Sequence, residues 1–147
     1  VGLRAPYWNS KARGVLSGLT RNTGLKEIIR ATIESTAYQS YDLFNAMKKD
    51  GLKPKIIKVD GGMVKNSWFS QFLADVVNVE VARSKINETT ALGVAFIAGL
   101  KIGVYKSLNE ISKNWKLDRK FIPKIKNAKR LELLNGWSQA VRRALIY

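Results

Sequence analysis

Strand-like runs alternate with amphipathic helical runs along this chain, which predicts an α/β fold with an incomplete parallel or mixed sheet and flanking helices. Two observations carry that prediction. The β-branched run Lys55-Ile56-Ile57-Lys58-Val59 enters an Asp60-Gly61-Gly62 turn and then a helical stretch, and Val79-Glu80-Val81 leads into another. A third observation limits it: two strands are too few to cover these helices, so the rest of the sheet is expected upstream of Val1. A start at Val1 rather than Met, in a loop-like run, fits the expectation of a piece of a longer protein.

Three stretches are expected. Residues 1–21 read as a structured loop, residues 22–103 as the α/β core and residues 104–147 as a C-terminal helical extension. In the first, Gly14-Val15-Leu16-Ser17-Gly18-Leu19 is one extended run. Thr23 is expected to cap a helix whose apolar residues Leu25, Ile29, Ile33, Ala37, Tyr41 and Phe44 recur at spacings of three and four, with a left-handed exit at Gly51. Asn66 caps the next helix, which turns Phe69, Phe72, Leu73 and Val76 to one face and closes at Asn78. Glu88 opens a third, with Ala91, Leu92, Ala95, Phe96, Gly99 and Leu100 facing inward. After Gly103 comes a mixed polar segment containing Pro123. A final helix from about Asn127 then carries the stripe Leu134, Trp137, Val141 and Ala144.

Composition narrows the chemistry. The 147 residues include no cysteine and no histidine, which excludes disulfides, thiolate or imidazole metal sites, and Ser-His-Asp catalysis. A hydrophobic fraction of 46% is that of a folding chain. No apolar run approaches the roughly 20 residues that span a bilayer, and the N-terminus lacks the pattern of a signal peptide, so a cytoplasmic protein with no membrane partner is expected. The formal charge of +15 favours polyanions, and Lys101–Tyr147 carries twelve basic side chains against three acidic. No stacking-aromatic or helix-turn-helix pattern accompanies that charge, so a solvated lysine-rich surface is the preferred reading over a nucleic-acid site.

The element that carries chemistry is the strand, the Asp60-Gly61-Gly62 turn and the helix opened by Asn66. Glycines there let a ligand approach the main chain, and a helix N-terminus offers unsatisfied N–H groups and partial positive charge, which together suit a nucleotide. An ordinary turn uses the same residues, and the run is neither a P-loop nor a dinucleotide fingerprint.

A longer set of motifs adds to this. Ala5-Pro6-Tyr7-Trp8, Gly18-Leu19-Thr20-Arg21, Ile29-Arg30-Ala31-Thr32-Ile33-Glu34, Val59-Asp60-Gly61-Gly62-Met63-Val64-Lys65-Asn66 and Glu88-Thr89-Thr90-Ala91-Leu92-Gly93 occur in that order. Together they resemble the C-terminal part of the FGGY carbohydrate kinases in their glycerol kinase branch, over nearly the whole chain. The resemblance implies part of an actin-like, ribonuclease-H-like ATPase domain. Two such domains close over ATP with Mg²⁺ and transfer the γ-phosphoryl group to glycerol, giving glycerol 3-phosphate.

On the same matching, Gly62 and Asn66 contact ATP, Gly62 by close main-chain approach and Asn66 near the adenosine, while Gly61 shapes the turn. Glu88 and Gly93 are expected to be structural, Gly93 through close helix packing. Asp60 is expected to organise its turn and Asp75 to lie on a helix. Arg4 stands where the family has glycine, and Asn9-Ser10 where it has Asp-Pro.

The resemblance implies that the glycerol-binding residues, the general base and the phosphate-binding hairpins lie upstream, so no catalytic or metal-binding residue is assigned here. The isolated chain is expected to be inactive and, with an open sheet edge, prone to associate, a homo-oligomer included. The alternatives are another FGGY sugar kinase and a basic nucleic-acid-binding module. Phosphate-driven binding by the latter would weaken by orders of magnitude as salt rises several-fold.

Overall fold

The computed structural model describes residues 2–86 and 88–146. Its interior is organised around one short helix. Helix α1 (Leu25–Lys49) is followed by strand β1 (Ile56–Val59), a 3₁₀ turn (Met63–Lys65) and helix α2 (Ser67–Val77). Then come strand β2 (Glu80–Ser84), helices α3 (Thr89–Lys101) and α4 (Leu108–Ser112), strand β3 (Leu117–Phe121) and helix α5 (Asn127–Ala144). Strand β1 runs parallel to β2, and β3 runs antiparallel to β2, giving a mixed sheet in the order β1-β2-β3. With no described strand beyond it, β1 is an open edge on which Ile56 is 46% exposed.

The core lies where α2 is enclosed by α1, the sheet and α5. Phe69, Phe72, Leu73, Ala74, Val76 and Val77 of α2 pack with Ala37, Tyr38 and Phe44 of α1, Val81 of β2 and Phe121 of β3. The Tyr38 ring stacks on Trp137 of α5 and meets Phe72 edge-on.

Two boundaries form as the sequence expects: Gly51 takes φ +95° beyond α1, and Asn78 closes α2 at φ 55°, a left-handed position that asparagine tolerates. The start of α1 differs. Its N-cap is Gly24 rather than Thr23, because the Glu27 carboxylate accepts the Gly24 N–H at 2.9 Å while Thr23 Oγ1 accepts from Thr20 N. Leu25 and Ile29 remain exposed, since the first turns of α1 extend past the core.

The larger difference lies in residues 104–147, which are no mere helical extension. They supply β3, the edge strand beside β2, and the short helix α4 capped by Ser107. Leu117-Asp118-Arg119-Lys120-Phe121 lacks apolar alternation because only Phe121 enters the core. Two of its charged side chains pair with β2, Asp118 with Arg83 at 2.6 Å and Lys120 with Glu80 at 2.8 Å. Helix α3 also departs from expectation: Ala91 and Ala95 are exposed and only Gly99 is buried. A Cβ on Gly93 would meet nothing within 4 Å, whereas one on Gly99 would strike the Tyr105 ring, so Gly99 is the glycine that close packing requires.

Candidate functional site

The turn after β1 is built from three different backbone conformations in close succession. Gly61 sits at φ +94°, which side-chain-bearing residues rarely adopt, and Gly62 returns to helical angles at φ −62°, ψ −42°. Asn66 is extended between the 3₁₀ turn and α2, at φ −72°, ψ 107°. Space over Gly62 is open, with no atom within 4 Å of where a Cβ would stand, so a ligand can reach the main chain.

Asn66 caps α2 as its sequence position predicts. Its Oδ1 accepts from Trp68 N at 2.9 Å and Phe69 N at 3.3 Å. Its Nδ2 donates to no protein group among the described residues, so the amide keeps two donors for a ligand. It opens on a groove of about 410 Å³ lined by Lys26, Ile29, Arg30, Ile33 and Trp68. The Arg30 guanidinium lies 5.5 Å from the centre of the Trp68 ring, which stacks on Phe72 at 5.2 Å.

The two aspartates do structural work. Asp60 Oδ2 accepts from Thr89 Oγ1, tying the turn to the first residue of α3. Buried Asp75 lies on α2, and its Oδ1 accepts from Lys124 N at 2.6 Å, Ile125 N at 3.4 Å and Gln71 Nε2 at 3.1 Å. It thereby fixes the approach to α5. No three acidic side chains converge on a common point among the described residues.

The first loop is fastened from a third carboxylate. Asp42 Oδ2 accepts from Tyr7 Oη at 2.9 Å and from Trp137 Nε1 at 2.6 Å, joining the loop to α1 and α5. Burial raises the Asp42 pKa, although both hydrogen bonds pull it down. Tyr7 is pushed up to about 12 by burial and by the Asp42 carboxylate it faces. Tyr7 thus braces the loop, whereas Trp8 is 79% exposed. Asn9 Oδ1 accepts from Lys11 N at 2.9 Å and from Ala12 N at 3.1 Å.

One residue at this site escapes sequence reasoning. Arg83 of β2 donates from Nη1 to Val64 O at 2.9 Å, Lys65 O at 3.1 Å and Ser67 Oγ at 3.3 Å, gripping the segment on both sides of Asn66. Its sequence signal is faint: a lone charge in Val81-Ala82-Arg83-Ser84.

Comparison with known proteins identifies the family. A profile described as "FGGY family of carbohydrate kinases, C-terminal domain" matches residues 1–102. The chain belongs to the FGGY family of carbohydrate kinases. Glycerol kinase 1 of Pseudomonas aeruginosa is 52% identical over 143 residues, covering 97% of this chain and 29% of that protein. The glycerol kinase of Ectopseudomonas mendocina is 50% identical over 144 residues, with coverage of 97% and 29%.

Among solved structures, the Plasmodium falciparum glycerol kinase with ADP superposes with a TM-score of 0.84 at 37% identity, covering 99% of this chain and 29% of that one. A ligand-bound xylulose kinase from Lactobacillus acidophilus gives 0.76 at 30%, covering 97% and 29%. This FGGY chain therefore has the actin-like fold of those kinases and spans about 29% of the length of each relative.

Proposed function

We propose that this chain is the ATP-side portion of a glycerol kinase, an enzyme that moves the ATP γ-phosphoryl group to glycerol and releases glycerol 3-phosphate. The observation that carries the reading is the joint of β1 and α2, where the space over Gly62 is open and the Asn66 amide is free to donate. In this reading, the nucleotide approaches the main chain at Gly62, Gly61 sets the turn, and Asn66 Nδ2 donates near the adenosine. The N-terminus of α2 adds partial positive charge. Mg²⁺ would come with the phosphates of the nucleotide.

Phosphoryl transfer requires an in-line nucleophile and neutralised phosphate charge. The glycerol site and proton acceptor are assigned to the remainder of the full-length kinase. Identities of 50–52% to glycerol kinases favour glycerol over another sugar acceptor. A cytoplasmic setting and a role in glycerol metabolism accompany the reading.

Calorimetric titration with ATP and GTP, beside a coupled assay of glycerol phosphorylation, tests it. The chain should bind ATP in preference to GTP, lose that binding in Gly62→Trp, and phosphorylate no glycerol by itself. ATP affinity equal in Gly62→Trp, or ATP-dependent turnover above that variant, would overturn it. Nucleic-acid binding that collapses with added salt while ATP is ignored would favour the basic-module alternative.

A further inference from the structure

We infer that Arg83 is a positioning residue for the nucleotide, orienting the segment that presents Asn66; the inference rests on the nucleotide reading above. Arg83 makes no hydrogen bond to Gly62 or to the Asn66 side chain. It acts on their backbone. The first acceptor of the α2 ladder is Asn66 O, which receives Ser70 N at 3.1 Å. Val64 O and Lys65 O precede it and so lie outside the helical ladder. Arg83 Nη1 takes both carbonyls and Ser67 Oγ, at 2.9, 3.1 and 3.3 Å. Three of the four residues Val64, Lys65, Asn66 and Ser67 are thereby held by one planar group, and the fourth is the proposed ligand contact.

The guanidinium is itself fixed. Its Nε donates to Asp118 Oδ2 at 2.6 Å, its side chain is only 13% exposed, and its Cζ lies 5.4 Å from the centre of the Phe121 ring. Asp118 and Phe121 both belong to β3, so the edge strand reaches the site through Arg83. Ser70 Oγ holds Val64 O independently at 2.9 Å, which leaves Lys65 O and Ser67 Oγ as the contacts that depend on Arg83. A lysine carries the same charge without the rigid fork, so it cannot span these acceptors while keeping Asp118.

The test uses this chain, with ADP as the probe, calorimetry for affinity, thermal unfolding for stability and amide exchange by NMR for local order. Asn66→Ala serves as the reference for loss of the ligand contact. Arg83→Met is expected to weaken ADP about tenfold, the effect of one ordinary hydrogen bond lost to misorientation. Arg83→Lys should recover little of that loss, and Asp118→Asn should lose a smaller share. In each variant the Trp68 and Phe69 amides, capped by Asn66, should exchange faster while the β2 amides keep their protection.

Wild-type ADP affinity in Arg83→Met, with Asn66→Ala weakened in the same assay, would overturn the positioning role and leave the nucleotide reading standing. If Arg83→Met does not fold, unchanged affinity in both Arg83→Lys and Asp118→Asn overturns it equally. Failure of the unsubstituted chain to bind ADP would remove the nucleotide reading and this inference with it.

Discussion

Helix α2 carries one charged residue, Asp75, and α3 carries one, Lys101, in otherwise largely apolar runs. Eight of the eleven residues of α2 are buried, whereas Gly99 alone is buried in α3, where Val94 and Ile97 stand 67% and 68% exposed. The difference lies in what surrounds each helix. Helix α2 packs against α1, β2, β3 and α5. Helix α3 is held by the bond from Thr89 to Asp60 and by Phe96 meeting Tyr105 edge-on at 5.4 Å. Apolar composition therefore marks a face that seeks a partner without naming the partner, and α3 finds few inside this chain.

The widest separation between the two helices should appear on truncation. Leu73→Ala in α2 should cost about 2–5 kcal/mol by lost burial and cavity formation. Ile97→Ala in α3 should stay within about 0.5 kcal/mol, as for a surface change. Urea unfolding of the two variants measures both, and equal losses would break the comparison.

A smaller effect should come from the carboxylate that ties α2 to α5. Asp75→Ala leaves Lys124 N and Ile125 N without their acceptor and should cost about 1–3 kcal/mol. Amide exchange should place the loss at the start of α5 rather than in the sheet. Stability loss with α5 protection unchanged would show that Asp75 serves α2 alone.

The smallest effect is a pH dependence. Burial is the leading cause that pushes Tyr7 and Tyr38 up to about 12 from the ordinary 10. Both phenols favour the neutral form in the folded chain, so their contribution is fully present below pH 10 and is lost as pH rises from 10 through about 12. Asp42 works in the same sense at acid pH: its raised pKa means stability falls as pH rises from the ordinary carboxylate value through the folded one. A melting-temperature profile should decline across the alkaline window, and Tyr7→Phe should soften that decline. An identical alkaline profile in Tyr7→Phe would remove Tyr7 from the account.

Much of the site was legible because its chemistry is local. A glycine at φ +94° and an asparagine whose own side chain caps the helix it opens leave their mark within a few residues of sequence. Asp75 was legible as a helical residue, but its ties to Lys124 and Ile125 lie 49 and 50 positions away. Arg83 was missed for the same reason. Its acceptors lie 16 to 19 positions upstream and its anion 35 downstream, so no spacing rule links them.

By itself, the sequence determined the α/β alternation, the main helices, the Gly61-Gly62 turn, the Asn66 cap and the family. These depend on periodicity, backbone conformation and short-range hydrogen bonds, which neighbouring residues specify. Tertiary structure alone decided that Leu117–Phe121 is a strand, that α2 rather than α3 becomes the centre of the core, and that Arg83 grips the turn. Each of those outcomes is a pairing between groups distant in the chain. A polar edge strand, an apolar face and a guanidinium all acquire their roles from the partner that folding brings to them.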